Sequence, residues 1–133
     1  MNEIEYKVNA PLETAQIIEL YRNSGLPRPI DDEQRMAEMF ANSTLVITAW
    51  ADRELIGLAR TLTDFVWCSY LADLAVRKDF QKAGIGRRLV ELTREKVGEK
   101  SMVLLLSVPE AMEYYPKIGM ENVENGFIFN RQK

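Results

Sequence analysis

The chain has no histidine and a single cysteine, Cys68, and these two shortages remove whole classes of chemistry. Without histidine there is no Ser-His or Cys-His nucleophile pair and no Cys/His zinc arrangement, so no metal is expected. One thiol cannot close an intramolecular disulfide, and Cys68 is read as a small buried hydrophobe. Positive charge is not in excess either: 17 Lys and Arg stand against 20 Asp and Glu, a formal net of -3. That balance gives no electrostatic reason to expect nucleic acid as a partner. Met1 to Asn9 carries Glu3 and Glu5 and no apolar run, so neither a signal peptide nor a membrane span is expected there, and the protein reads as cytoplasmic.

What is present is ordinary for a globular chain. The 133 residues are 47% hydrophobic and 28% charged, which suits one compact domain over residues 1–133. Ile4 to Val8 alternates as a strand does, and Pro11 stands at a suitable first helical position. Leu12, Ala15 and Ile18 continue at helical spacing, and Asn23-Ser24-Gly25 supplies the stop. Two prolines, Pro27 and Pro29, exclude regular helix from the next segment. Asp31 with Gln34 has the spacing of a capping box for a short helix that turns Met36, Met39 and Phe40 inward.

From Thr44 to Thr63 two apolar runs flank Asp52-Arg53, which predicts a hairpin. Ser69 to Val76 reads as a strand, Ile85 to Val97 as a helix with Ile85, Leu89 and Leu92 on one stripe, and Val103 to Leu106 as a buried strand. Pro109 opens a further short helix. Phe127-Ile128-Phe129, after the turn signal Asn125-Gly126, is strand-like. Period-two alternation places Asp73 on the face of Leu71 and Ala75, opposite Ala72, Leu74 and Val76.

The chemistry concentrates between Leu71 and Leu89. A helix start carries unpaired N–H groups and partial positive charge, and Gly84 and Gly86 in Gln81-Lys82-Ala83-Gly84-Ile85-Gly86 would keep side chains out of an anion's way. Neither the dinucleotide fingerprint nor the triphosphate loop fits, and a Gly-x-Gly pair alone equally describes a tight strand-to-helix turn. Arg87 and Arg88 add charge nearby, or simply solvate the helix face. Asp73 is a carboxylate in an apolar strand. It either accepts a proton or binds a cationic acceptor, or it pairs with Arg60 or another base across the sheet.

Gln81-x-x-Gly84-x-Gly86, following an apolar strand and opening an amphipathic helix, resembles the acyl-CoA signature of the Gcn5-related N-acetyltransferases. Tyr114-Tyr115-Pro116-Lys117-Ile118-Gly119-Met120 is similar to that family's later element, and the order of elements fits along nearly the whole chain. The resemblance implies an α+β fold: a mixed, largely antiparallel sheet flanked by about four helices, with a parallel strand pair, Ser69–Val76 and Met102–Ser107, splayed at the cofactor site. It implies acetyl-CoA as cosubstrate and direct attack of a primary amine, on a small molecule or protein, upon the thioester. Leu74, Ala75 and Val76 would line the pantetheine arm, and Gln81, Lys82, Ala83, Gly84, Ile85, Gly86 and Arg87 would offer N–H groups to the pyrophosphate.

In the same terms Tyr115 would protonate the departing thiolate, and Asp73 is the candidate for the amine proton. A non-catalytic acyl-CoA-binding regulator on the same fold is the alternative. Two departures stand out: Pro116 directly follows the tyrosine, and Val108 stands where many relatives have asparagine. Terminal strands in such proteins often pair across a dimer, so a homodimer is an open possibility. The acidic balance leans toward a cationic acceptor.

Overall fold

The computed structural model describes residues 3–133. A four-stranded antiparallel sheet, in the order β1-β2-β3-β4, forms the centre. Its strands are β1 (Ile4–Val8), β2 (Leu45–Ala51), β3 (Glu54–Thr63) and β4 (Ser69–Val76). Asp52 and Arg53 both take positive φ, 49° and 70°, the backbone of a two-residue hairpin turn whose twist matches that of its strands.

Helices cover both faces, and this explains why β2 is apolar almost throughout rather than alternating. On one face α1 (Thr14–Ser24) and α2 (Glu33–Ala41) bury Ile17, Leu20, Tyr21 and Met36 against Val46, Leu55, Leu58 and Ala75. On the other, α3 (Ile85–Val97) packs Ile85, Leu89, Val90 and Val97 against Ile47, Ala49, Ile56 and Leu71. A last short helix, α4 (Tyr114–Lys117), follows the single turn Pro109–Ala111. Among the described residues no helix is long and apolar enough to cross a membrane.

Local chemistry sets the boundaries. Helix α1 begins at Thr14, not at Pro11, because Glu13 is extended (φ -90°, ψ 141°) and Gln16 Oε1 accepts its N–H at 3.1 Å. Gly25 ends it at φ 80°, as expected, donating to Tyr21 O at 3.1 Å. The cap of α2 is Asp32, one residue beyond the expected Asp31, its Oδ1 accepting from Arg35 N at 3.0 Å.

Two expected strands are not formed as such. Val103–Leu106 is reduced to one parallel bridge, Tyr70 to Leu104. Among the described residues Phe127-Ile128-Phe129 has no strand partner and stands exposed, because no neighbouring described segment supplies ladder bonds. Cys68 is exposed too, on the loop after β3, with Sγ 3.7 Å from Asp64 Oδ2. Asp64 explains the loop: its Oδ1 gathers the N–H groups of Val66, Trp67 and Cys68.

Candidate active site

Strand β4 carries the site, and one irregularity organises it. Arg60 pairs with Asp73 and Thr61 with Leu71, so Ala72 is an extra residue on β4. The bulge resets the alternation. Leu71 faces α3 together with Leu74 and Val76, whereas Asp73 and Ala75 face α1 and α2. The expected sharing of a face by Asp73 and Leu71 is therefore overturned, because a bulge cancels one step of the two-residue period.

The same bulge decides which main-chain groups meet β3. Arg77 N–H donates to Ile56 O at 2.8 Å, so Asp73, Ala75 and Arg77 turn their backbone groups inward to β3. Leu74 and Val76 turn theirs to the opposite edge. On that edge Met102 donates to Trp67 O at 3.1 Å, and Leu104 donates to Ser69 O and receives Leu71 N–H, each at 2.9 Å; among the described residues the pairing does not continue toward Leu74. A gap opens alongside Leu74. The Val76 carbonyl is already occupied by Gln81 Nε2 at 2.9 Å, so the Gln81 side chain braces the end of β4.

From β4 the chain passes through the turn Lys78–Phe80 into an exposed loop, Gln81 to Gly84. Lys82 (φ 69°) and Gly84 (φ 82°) are both left-handed, an arrangement that turns successive N–H groups toward one concavity. No side chain caps α3, and its first turn holds no acidic residue but instead Arg87, which is exposed. Ile85 is buried in the core and leaves only its backbone at the loop. A Cβ on Gly84 would meet open space, whereas one on Gly86 would lie 3.1 Å from the Tyr114 hydroxyl. Gly86 is thus bare for Tyr114, a contact that spacing alone did not disclose.

Tyr115 follows on α4, half-buried and edge-on to Tyr114, with ring centroids 5.2 Å apart. Desolvation, followed by the neighbouring Tyr114, raises its pKa above the usual phenol value, and Arg28 opposes this. Pro116 sits inside α4 without ending it at Tyr115, and Ile118 and Met120 both donate to Tyr115 O.

Asp73 is 1% exposed and its carboxylate is fully engaged. Oδ1 accepts from Arg28 Nε at 2.6 Å, and Oδ2 accepts from Arg60 Nε and the Tyr21 hydroxyl, each at 2.7 Å. Burial pushes its pKa up, but Arg60, Arg28 and Tyr21 together outweigh burial and leave it below the usual carboxylate value. Burial and then Asp73 push the Tyr21 hydroxyl well above its ordinary value. Of the two open readings of Asp73, the pairing with Arg60 is the contact the side chain makes. Arg28, between the two prolines, was not singled out by the sequence; it also donates to Ala72 O at 2.8 Å and so pins the Leu26–Ile30 loop to β4. The cluster of one acid and two arginines is locally cationic, although the whole chain is acidic.

Sheet, bulge, glycine loop and uncapped helix follow one another in this order along the chain. A family model described as an acetyltransferase (GNAT) domain matches residues 21–132, and the chain belongs to that family, the Gcn5-related N-acetyltransferases. A curated relative, the uncharacterized N-acetyltransferase ycf52 of Pyropia yezoensis, is 26% identical over 84 residues, 59% of this chain and 48% of its own length. The chain thus spans about half the length of that relative. The fold is similar to that of protein SA2161 from meticillin-resistant Staphylococcus aureus, described as a probable acetyltransferase (TM-score 0.83, 20% identity, covering 97% of this chain and 99% of that one). It is also similar to the GNAT protein SP0256 of Streptococcus pneumoniae (TM-score 0.78, 21% identity, covering 98% and 100%). A third likeness is the aminoglycoside N-acetyltransferase AAC(6')-Iy, solved with CoA (TM-score 0.76, 14% identity, covering 100% and 97%).

Proposed function

We propose that the chain transfers the acetyl group of acetyl-CoA directly to a primary amine. The observation that carries this reading is the uncapped start of α3 behind the left-handed Lys82 and Gly84, adjoining the open edge of β4. Unpaired N–H groups from Lys82 to Arg87, at the positive end of α3, are the right donors for a pyrophosphate, whereas the expected Gln81 N–H is already spent on Lys78 O at 3.4 Å, the closing bond of the preceding turn. The free backbone groups of Leu74 and the N–H of Val76 would pair with the pantetheine amides as an added strand does. Acetyl-CoA supplies the activated thioester when bound.

In this reading the Leu74 N–H faces the thioester carbonyl and stabilises the oxygen as charge develops on it. The amine must arrive neutral; its nitrogen attacks the carbonyl carbon, the positively charged nitrogen of the adduct gives up a proton to water, and the C–S bond breaks. Tyr115 holds its proton throughout the neutral range, since its pKa lies above the ordinary phenol value of about 10, and it donates that proton to the departing thiolate. Asp73 acts by position: with both oxygens engaged and a depressed pKa it is a poor acceptor for an amine proton, and it instead fixes Arg28 and Tyr21 beside the acceptor side.

Release of CoA thiol across a panel of primary amines tests the proposal, with Tyr115→Phe measured alongside. Turnover should fall about 100-fold in kcat with little change in KM for the amine. Unchanged turnover in Tyr115→Phe would assign the acid to another group. A saturable thermal shift with acetyl-CoA, but no turnover with any amine, would favour the non-catalytic regulator.

A further inference from the structure

Asp73 carries one negative charge and holds two arginines, so the cluster beside β4 is left with one positive charge unmatched. Among the described residues neither Arg28 nor Arg60 has a second carboxylate partner. Both are largely withdrawn from water, their side chains 23% and 11% exposed, where an unmatched charge is costly. Arg28 also keeps donors in reserve. Its Nε goes to Asp73, Nη1 donates to Pro27 O and Nη2 to Ala72 O, which leaves one N–H on each Nη without a protein partner among the described residues. Two such N–H groups are what a planar carboxylate takes from an arginine. The bond to Ala72 O fixes where they stand, since only Asp73 separates Ala72 from Leu74, whose N–H faces the thioester in the proposed reaction. Burial raises the Tyr115 pKa and Arg28 is near enough to oppose it, so the guanidinium lies toward the proposed acid as well. An apolar concavity of about 440 Å³ continues the same face. Leu62 is two residues beyond Arg60 on β3 and pairs with Tyr70, so both side chains share the face of Arg60. Val103 and Leu105 pack into the core beneath α3, which turns Met102 and Leu104 to this side, and these four residues line the concavity.

We infer that the acceptor is an amino acid with an apolar side chain: Arg28 takes its carboxylate, the concavity takes its side chain, and its amine is left at the Leu74 edge. The inference rests on the acetyl transfer proposed above and names the acceptor class for it. A carboxylate supplies the anion that the two arginines lack. The guanidinium in turn disfavours a further positive charge beside it, so the amine is held neutral, the form that attacks. A polycationic amine meets the opposite, repulsion by Arg28 and Arg60. The net charge of -3 over the whole chain leans toward such an amine, but screening weakens distant exposed charges, whereas the two arginines stand at the site.

The test assays the full chain with acetyl-CoA and two matched amines, L-phenylalanine and phenethylamine, which differ by the carboxylate, with spermidine as a polycation. Arg28→Gln should lower kcat/KM for phenylalanine about 30-fold, mainly through KM, and leave phenethylamine little changed. Each amine is compared with itself, so differences in basicity cancel. Equal losses for both amines would make Arg28 merely structural and overturn the inference, as would a wild-type preference for spermidine. If Arg28→Gln does not fold, Leu62→Glu, at a position 39% exposed, sets a carboxylate against the acceptor and should raise KM for phenylalanine about tenfold; an unchanged KM counts against the site. Binding without chemistry separates this inference from the transfer itself. Calorimetric titration of 3-phenylpropionate, which has no amine, into the chain holding CoA should give a saturable heat that Arg28→Gln abolishes. That heat without turnover of any amine would refute the transfer and keep the carboxylate site, whereas turnover of phenethylamine with no such heat would keep the transfer and refute the site.

Discussion

Two polar regions lie on opposite faces of β4, and they are finished in opposite ways. Around Asp73 the carboxylate is paired on both oxygens by Arg28, Arg60 and Tyr21, and Arg60 lies over the Phe40 ring, 5.7 Å from its centroid. Around the start of α3 the donors are left open: α1 and α2 are closed by Gln16 and Asp32, while α3 has no such side chain. A buried charge must be satisfied by the protein because water cannot reach it, whereas N–H groups at a surface can be left for a ligand. The contrast separates a region that holds the chain together from one suited to taking an anion.

The largest effect should come from breaking the closed region. Asp73→Ala leaves Arg28 and Arg60 without their anion and is expected to cost about 3–5 kcal/mol in denaturant unfolding. Asp73→Asn keeps the shape and should cost less. A fully stable Asp73→Ala protein would erase the distinction between the two regions.

Next comes Gly86→Ala, whose new Cβ would press on the Tyr114 hydroxyl at 3.1 Å. Overpacking of this kind costs roughly 1–3 kcal/mol, and combination with Tyr114→Phe should recover most of it. Failure of that rescue, read from unfolding midpoints of the double-mutant cycle, would place the strain elsewhere. Gly84→Ala meets no atom within 4 Å, so its cost is that of a left-handed alanine alone, about 1 kcal/mol.

The smallest effect is with pH. The Asp73 pKa is depressed in the folded chain, so its contribution is fully present above the unfolded value of about 3.9 and is lost only as pH falls below it, through the folded value. Stability attributable to Asp73 should be flat from neutrality to about pH 5, and Asp73→Asn should remove part of the acid limb. A contribution that instead faded near neutrality would mean that the carboxylate is not held ionised.

Much of the fold was legible because hydrophobic period, glycine and proline are local signals. The hairpin at Asp52-Arg53, the stop at Gly25 and the helix Ile85–Val97 are all where those signals put them. The cap of α2 moved by one residue because two aspartates stand in a row and only geometry selects Asp32. The side-chain facing of Asp73 failed for a different reason: a bulge at Ala72 depends on what β3 presents opposite, which no period in β4 records. Arg28 was missed because its partner is 45 positions away. Cys68 was misplaced because Asp64 folds the loop outward.

By itself the sequence determined the family, the order of elements from β1 to α3 and the loop at Gln81–Gly84, since each is written in residues close together along the chain. Tertiary structure alone decided that Asp73 is sealed by two arginines and a tyrosine, that Gly86 stands bare against Tyr114, and that Phe127–Phe129 finds no edge among the described residues. Those outcomes depend on which distant surfaces meet once the helices close over both faces of the sheet, and burial, not local preference, then sets what each polar group must do.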